Sequence, residues 1–537
     1  MSSLGSTPPV RQVPNCEDIG AIDAFRKVLI STNFTSDGIR QHLGEDAVQA
    51  LSRDQATPAL RALEHHQRAG TWTGLSTLIL LFILARPVPE ELFQRTVLQA
   101  DLAQWVALGL VQNGDDGHIQ STVDLDLHAA DDGLELWVAA DLTAFQRPEA
   151  PLPHDYVLGI GGASLTLAQI TERRPVRRAV DIGTGCGVQV FHLLGHADHV
   201  VATDLCPRAL AFARFNLLLN APMLGLDPHH LEKRVDLRQG SLLEPIAREE
   251  FDLVVTNPPF VITPRNGEQA ENARYTYRDG GRSGDLLVAE LLGELDTIMA
   301  PGATAHLLAN WEIPRSQGTD RWSHRLESWV SPTLDVWGIQ RDVQTPQLYA
   351  ETWLRDAAEH RDRAAYEAAY AAYLDDFAER DVEAVGFGYV RLEKPREARE
   401  PRRVWESLAH PLQQPIAQVT AATMQRWDVV DALEQRWVDL HLKVADDVTE
   451  ERHLRPGAED PSLIVLRQGS GLQRSVVLTS ATAGLVGACD GELSVRQIVV
   501  ALGDLLGWVG PAEESEEGQA VLKETRHLLI NGFLYAQ

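Results

Sequence analysis

Three short stretches combine residue types that carry chemistry with spacings that local structure can hold. The first is Asp181-Ile182-Gly183-Thr184-Gly185-Cys186-Gly187. An acidic residue closing a strand, followed by glycines at alternate positions, lets the chain turn tightly and brings backbone N–H groups against a ligand. The pattern is G-x-G-x-G, one residue shorter than the dinucleotide fingerprint G-x-G-x-x-G. The second is Asp204, 21 residues after Gly183, at the end of the next apolar run. A carboxylate there can accept both hydroxyls of a ribose. The third is the apolar strand Phe251–Thr256 running into Asn257-Pro258-Pro259-Phe260. Two prolines fix φ and remove two donors, so the turn is rigid and its carbonyls are open to a ligand. The Asn257 side-chain oxygen and the Pro258 carbonyl can accept the N–H groups of a planar nitrogen, and Phe260 offers a flat face for stacking. Holding that nitrogen's lone pair toward an electrophile is catalysis by orientation and preorganisation.

Other residues compete for attention. Trp311, with Asn310 and Glu312, is read as following the fifth strand, where it either packs in the core or forms a substrate wall. Arg265, Arg274, Arg278 and Arg282 cluster after the Asn-Pro-Pro-Phe turn and can meet a phosphate or an acidic substrate. His192, His196, His199 and the pair His229-His230 lack companion cysteines or carboxylates at ligand spacing, so no metal site is expected. Tyr366, Tyr370 and Tyr373 recur at helical spacing and read as a core face.

Positioning these residues takes alternating strands and helices. Apolar strands are expected at Ala179–Ile182, His199–Thr203, Val235–Arg238, Phe251–Thr256 and Ala303–Leu308, with two more at Leu334–Val343 and Val385–Leu392. Helices between them imply a parallel sheet with crossovers. Residues 1–150 read as a separate module of helices followed by a small hairpin, winged-helix-like in outline. Residues 151–395 form the α/β domain, 396–409 a mixed-charge linker, and 410–537 a second small helical, winged-helix-like domain. In the last, Ser494 with Gln497 three residues on forms a capping-box pattern.

Composition bounds the partners. The 537 residues carry a formal charge of −28, and 44% are hydrophobic, as in a globular protein. So acidic a chain is a poor coat for nucleic acid or an anionic membrane. The charge divides unevenly, with net −10 over 1–150, −6 over 151–314 and −12 over 315–537. Four cysteines without a CxxC indicate neither a zinc ribbon nor a disulfide framework. No signal peptide is read at the N-terminus, and the longest apolar run, Leu78–Ala85, is far short of the ~20 residues of a membrane span. A cytoplasmic protein with no membrane partner is expected.

Asp181–Gly187, Asp204 and Asn257–Phe260, in that order, resemble the class I S-adenosylmethionine (SAM)-dependent methyltransferases with an Asn-Pro-Pro-aromatic motif. Within them the chain is similar to the small-domain group, which holds release-factor glutamine N5-methyltransferases and ribosomal-RNA guanine-N2 methyltransferases. The run Tyr277–Asp285 is similar to the Asp-Gly-Gly segment of the glutamine enzymes, and Gly159–Leu167 to the segment over the SAM methionine end. The resemblance covers roughly 155–310 and implies a Rossmann-like core with a mostly parallel seven-stranded sheet. It implies SAM as cofactor, held by Asp181, Gly183, Thr184, Gly185, Gly187, Asp204, Leu205, Ser241, Leu242 and Asn257. It assigns the acceptor nitrogen to Asn257, Pro258, Pro259 and Phe260, with Phe260, Arg278 and Trp311 toward the substrate. Gln239–Leu242 lacks the acidic residue or Asn that many relatives place near adenine, and Cys206 stands where they often have Ser. The implied activity is methylation of a planar amide or exocyclic amine, with a protein or peptide glutamine favoured over an rRNA guanine. A non-catalytic SAM-binding scaffold is the competing class.

Overall fold

A computed structural model describes residues 13–129, 133–147, 152–265, 279–356 and 363–537. Its centre is an eight-stranded sheet. In chain order the strands are β1 (Val176–Ile182), β2 (Ala197–Asp204), β3 (Val235–Gln239), β4 (Phe251–Thr256), β5 (Met299–Pro314), β6 (Asp335–Gln344), β7 (Val382–Glu393) and β8 (Arg403–Ser407). They lie side by side as β8-β6-β7-β5-β4-β1-β2-β3. The five from β5 to β3 are mutually parallel, whereas β7 runs antiparallel to both β5 and β6. Their burial explains their composition: Ala179 to Ile182 of β1 and Leu253 to Thr256 of β4 are covered on both faces, so apolar residues run without alternation.

Strand order reverses between β1 and β4. Ligands of open α/β sheets bind outside the carboxyl ends of the strands at such a switch point. Helix α1 (Val188–Leu194) follows β1, and α2 (Pro207–Leu219) follows β2 with Cys206 as N-cap and Pro207 in its first turn. Helix α2 buries Phe212, Phe215 and Leu217–Leu219, each large side chain contributing about 1.5–3 kcal/mol on burial.

The sheet has eight strands rather than the seven expected. The extra one, β8, pairs in parallel with β6 and lies where sequence reading places the 396–409 linker. Asp335, 1% exposed, explains the order there: Arg399 binds its Oδ1 at 2.8 Å and the Arg402 backbone N–H donates to the same oxygen at 2.8 Å. A mixed-charge run reads as a solvated hinge until one buried carboxylate gathers it. Strand β5 also runs six residues past the expected Leu308, so Asn310, Trp311 and Glu312 belong to the strand rather than to a loop after it.

Residues 1–168 and 174–409 form one compact unit. In its N-terminal part, helices such as Ile19–Ser31 and Thr57–Ala69 precede a three-stranded sheet and the hairpin Asp124–Ala129/Glu135–Ala140. The hairpin docks on α2 through two amides. Asn216 Oδ1 accepts from Ala139 N at 2.8 Å while its Nδ2 donates to Ala139 O at 2.9 Å. Asn220 repeats the exchange with Trp137, at 3.0 and 2.7 Å. Two asparagines four residues apart thus satisfy a strand edge as a neighbouring strand would.

The second unit comprises 169–173 and 410–537. It holds helices Ala417–Leu433, Ser480–Gly487, Val495–Leu506 and Glu516–Ile530 and two three-stranded sheets. The expected capping box is present: Ser494 Oγ accepts from Gln497 N at 3.3 Å, and Ser494 N donates to Gln497 Oε1 at 2.9 Å. The sheet Val448–His453, Leu463–Gln468, Ser475–Leu478 was not expected from sequence.

Candidate active site

The glycine loop after β1 is folded by its own backbone. Gly183 N and Thr184 N both donate to Thr203 O at 2.9 Å, tying the loop to the end of β2. Gly183, Gly185 and Gly187 adopt φ of +76°, +57° and +95°, which L side chains rarely take. A Cβ on Gly187 would come within 3.3 Å of Ala213 Cβ, so this glycine lets α1 and α2 approach. A Cβ on Gly185 would meet no protein atom within 4 Å, because that side of the loop faces a cavity.

The cavity holds about 190 Å3 and opens at the carboxyl ends of β1, β2 and β4. It is lined by Asp181, Gly183, Thr184, Gly185, Asp204, Leu205, Ser241, Leu242, Asn257, Pro258 and Pro259. All but two of the residues expected at the cofactor or acceptor are therefore brought together. Gly187 sits at the helix junction just described. Phe260 packs against the hydrophobic core beneath the sheet and bridges by its backbone to Asp279. Its N–H donates to Pro258 O at 2.7 Å, which occupies one of that carbonyl's two lone pairs.

Two further expectations fall elsewhere. Trp311 is 0% exposed and stacks on Trp322 at 5.4 Å inside the core, away from the cavity lining. The reason is the length of β5: Trp311 pairs with Gly386 of β7, and a Cβ on Gly386 would strike its ring. Arg278 and Arg274 lie outside the described residues. Of the remaining arginines, Arg265 binds Asp279 at 2.6 and 3.1 Å, and Arg282 binds Glu290 at 2.8 and 3.2 Å. Among the described residues no cluster of His, Cys, Asp or Glu could hold a metal ion.

Sequence reading missed part of the wall. Tyr156, Val157 and Leu158 line the cavity, as do Gln189 and Leu287. The first three directly precede the Gly159–Leu167 segment, which was the available signal. Gln189 is fixed by donating to Ser164 O at 2.7 Å. Gly280 sets the far wall, because a Cβ there would strike Leu287 and lie 3.1 Å from Pro259 O.

The polar groups are arranged for a ligand that donates. Asp204 Oδ2 accepts from Gly185 N at 2.9 Å and Oδ1 from Cys206 N at 2.8 Å, leaving lone pairs on both oxygens. Asp181 is 1% exposed, and its Oδ2 has no hydrogen-bond partner. Burial, with the charge of Asp204 adding to it against the Thr184 hydroxyl, pushes the Asp181 carboxyl up to about 7. Asn257 Oδ1 is likewise buried with no partner. Thr184 Oγ1 is a third such atom, and orphaned buried polar groups cost about 1–3 kcal/mol each, so a site that keeps them is complete only with partners supplied from outside. A ribose and an α-ammonium supply such donors toward Asp204 and Asp181, which fits SAM. When bound, SAM supplies an electrophilic methyl group on a sulfonium. The chain's own contribution at this wall is a rigid Asn-Pro-Pro turn with Asn257 Oδ1 left open to a donor.

Comparison with known proteins agrees with this site. Residues 160–273 match the model of the methyltransferase small domain, and residues 31–121 match a domain of unknown function. The chain is 34% identical over 210 residues to a release factor glutamine methyltransferase of Deinococcus radiodurans, covering 35% of this chain and 69% of that protein. It is 31% identical over 146 residues to a ribosomal protein uL3 glutamine methyltransferase of Bradyrhizobium diazoefficiens, 26% of this chain and 43% of that one. It is 28% identical over 164 residues to the ribosomal RNA large subunit methyltransferase F of Ectopseudomonas mendocina, 28% and 46% respectively. The fold and site define a SAM-dependent methyltransferase. The chain belongs to the small-domain methyltransferases, the family of the release factor glutamine methyltransferases. It spans less than half the length of several of the curated relatives it matches.

Proposed function

We propose that this enzyme transfers methyl from SAM to the side-chain carboxamide nitrogen of a glutamine in a protein or peptide. The observation that carries the reading is Asn257 Oδ1, a buried acceptor without a partner beside the rigid Pro258-Pro259 turn in the wall of the cofactor cavity. A primary carboxamide presents a planar N–H donor of the kind that oxygen lacks. Transfer then needs no strong base, because the nitrogen acidifies as it gains the methyl group. The glutamine-directed relatives support the same acceptor.

An rRNA guanine would want free cations at the mouth. The two described arginines near the turn are already paired, with Asp279 and Glu290, and the chain as a whole carries −28. These pairings favour protein over RNA. Among the described residues no helix is long and apolar enough to cross a membrane, and the four cysteines are free thiols, in keeping with a cytoplasmic enzyme. The test is labelled SAM incubated with separated protein and RNA pools from a cell extract, followed by mass spectrometry of the labelled residue. Label on glutamine in protein is expected. Label in RNA that falls steeply with salt would overturn the reading.

A further inference from the structure

We infer that Tyr349 is a positioning residue for the acceptor turn, supplied by a part of the chain outside the matched methyltransferase small domain. Tyr349 lies on helix Pro346–Asp356 and is 0% exposed. Its ring is seated between Phe377 at 5.4 Å and Phe387 at 5.7 Å. Its hydroxyl oxygen accepts from Ile262 N at 2.8 Å and from Asn310 Nδ2 at 3.0 Å. Ile262 is two residues past Phe260, and Asn310 is in β5 beside the site, so one phenol oxygen ties the exit of the Asn-Pro-Pro-Phe turn to the sheet.

The turn is otherwise held at its start by β4, along its side by the Phe260–Asp279 bridge, and at its exit by the Ile262 side chain in the cluster with Tyr349 and Phe377. Without the phenol, the Ile262 N–H is a buried donor with no partner, and its peptide keeps the side-chain packing but loses the bond that fixes its orientation. A shift of about 1 Å at a reacting group costs on the order of a hundredfold in rate. The hydroxyl does not line the cofactor cavity, so its loss leaves SAM binding in place. The proposal rests on the carboxamide reading only for its activity measurement.

The experiment compares wild type, Tyr349→Phe and Phe387→Leu. Tyr349→Phe keeps the ring and removes the oxygen; Phe387→Leu loosens the same cluster without touching the Ile262 N–H. Three quantities are read: SAM affinity by calorimetry, kcat and KM for a glutamine-containing peptide that the wild type methylates, and hydrogen exchange of the segment 257–265. Tyr349→Phe is expected to lower kcat at least tenfold, to leave SAM affinity and KM within about twofold, and to speed exchange over 257–265. Phe387→Leu is expected to lower the melting temperature while keeping kcat within about twofold. Unchanged kcat or unchanged exchange in Tyr349→Phe overturns the proposal, as does an equal loss of kcat in Phe387→Leu. If the wild type methylates no glutamine peptide, the acceptor reading fails, and exchange alone decides the positioning role: faster in Tyr349→Phe supports it, unchanged overturns it.

Discussion

Gly185 donates its backbone N–H to Asp204 Oδ2 at 2.9 Å, joining the loop after β1 to the end of β2. The carboxylate proposed to hold the ribose and the glycine loop are therefore one object rather than two independent contacts. Replacing Asp204 loses both the ligand contact and the loop's anchor. Asp204→Ala is expected to weaken SAM binding by about 10–100-fold, since hydrogen bonds to charged groups are worth about 1.5–3 kcal/mol. Calorimetric titration checks it, and an affinity within twofold of wild type would remove Asp204 from the site.

Asn257 should behave in the opposite way. With the proposed role of its side-chain oxygen at the acceptor, Asn257→Ala is expected to keep SAM affinity within about twofold while kcat falls by about 10²–10³, the usual cost of one preorganised polar group. Steady-state kinetics beside calorimetry separates the two effects. Lost binding with high residual transfer would reverse the assignment.

Buried carboxyls make the free enzyme sensitive to pH. Asp181 and Asp124 are each raised from 3.8 to about 7, chiefly by burial. A carboxyl raised on folding holds its proton more tightly in the native state than in the unfolded chain. The contribution of these two groups to the stability of the free protein is then fullest below about pH 4 and is lost as pH climbs toward and through 7. The cationic ammonium of SAM favours the ionised Asp181, so SAM affinity should rise with pH up to about 7 and then level. Asp181→Asn should flatten the affinity profile and make the stability profile shallower, Asp124 keeping its own share, as read by titration and thermal unfolding at several pH values.

Gly280 and Gly185 provide a paired test of space. Gly280→Ala drives a methyl group into Leu287 and toward Pro259 O, displacing the acceptor turn, and is expected to lower kcat more than tenfold with SAM still bound. Gly185→Ala meets no protein atom but takes up cofactor space at a φ of +57°, so its loss should appear in SAM affinity.

Arg325 closes a buried charge. It binds Asp285 at 2.6 Å through two nitrogens, and Asp285, at the start of helix Leu286–Glu294, also receives Glu312 N at 2.8 Å. Arg325→Ala leaves that carboxylate buried without its cation and should cost about 3–5 kcal/mol, read as a lowered denaturant midpoint. Asp285→Asn with Arg325→Ala together should recover part of it.

Much of the core was legible because its signals are local. Strand β4 begins and ends where its apolar run does, and Cys206-Pro207 and Ser494–Gln497 mark helix starts through contacts within a turn. The tyrosine stripe was legible for the same reason: Tyr373 enters the core beside Tyr349, with Tyr366 and Tyr370 packed against it. What stayed hidden depends on partners far along the chain. Trp311 looks like a site residue until Gly386 and Trp322 enclose it, and 403–407 looks like a linker until Asp335 binds Arg399 and the Arg402 backbone. Tyr349 carries no sequence signal at all, since its role rests on one hydroxyl meeting an N–H 87 positions away.

The amides of Asn216 and Asn220 grip the main chain of residues 137 and 139, and Asn216 Nδ2 also donates to Cys186 O at 2.9 Å in the glycine loop. Such a joint sets the hairpin's register through its backbone, while the buried side chains of residues 136–140 are fixed separately by packing. Change at the exposed positions of Asp124–Ala129 thus leaves the joint untouched, while the two asparagines hold the hairpin in register with both the helix after β2 and the glycine loop.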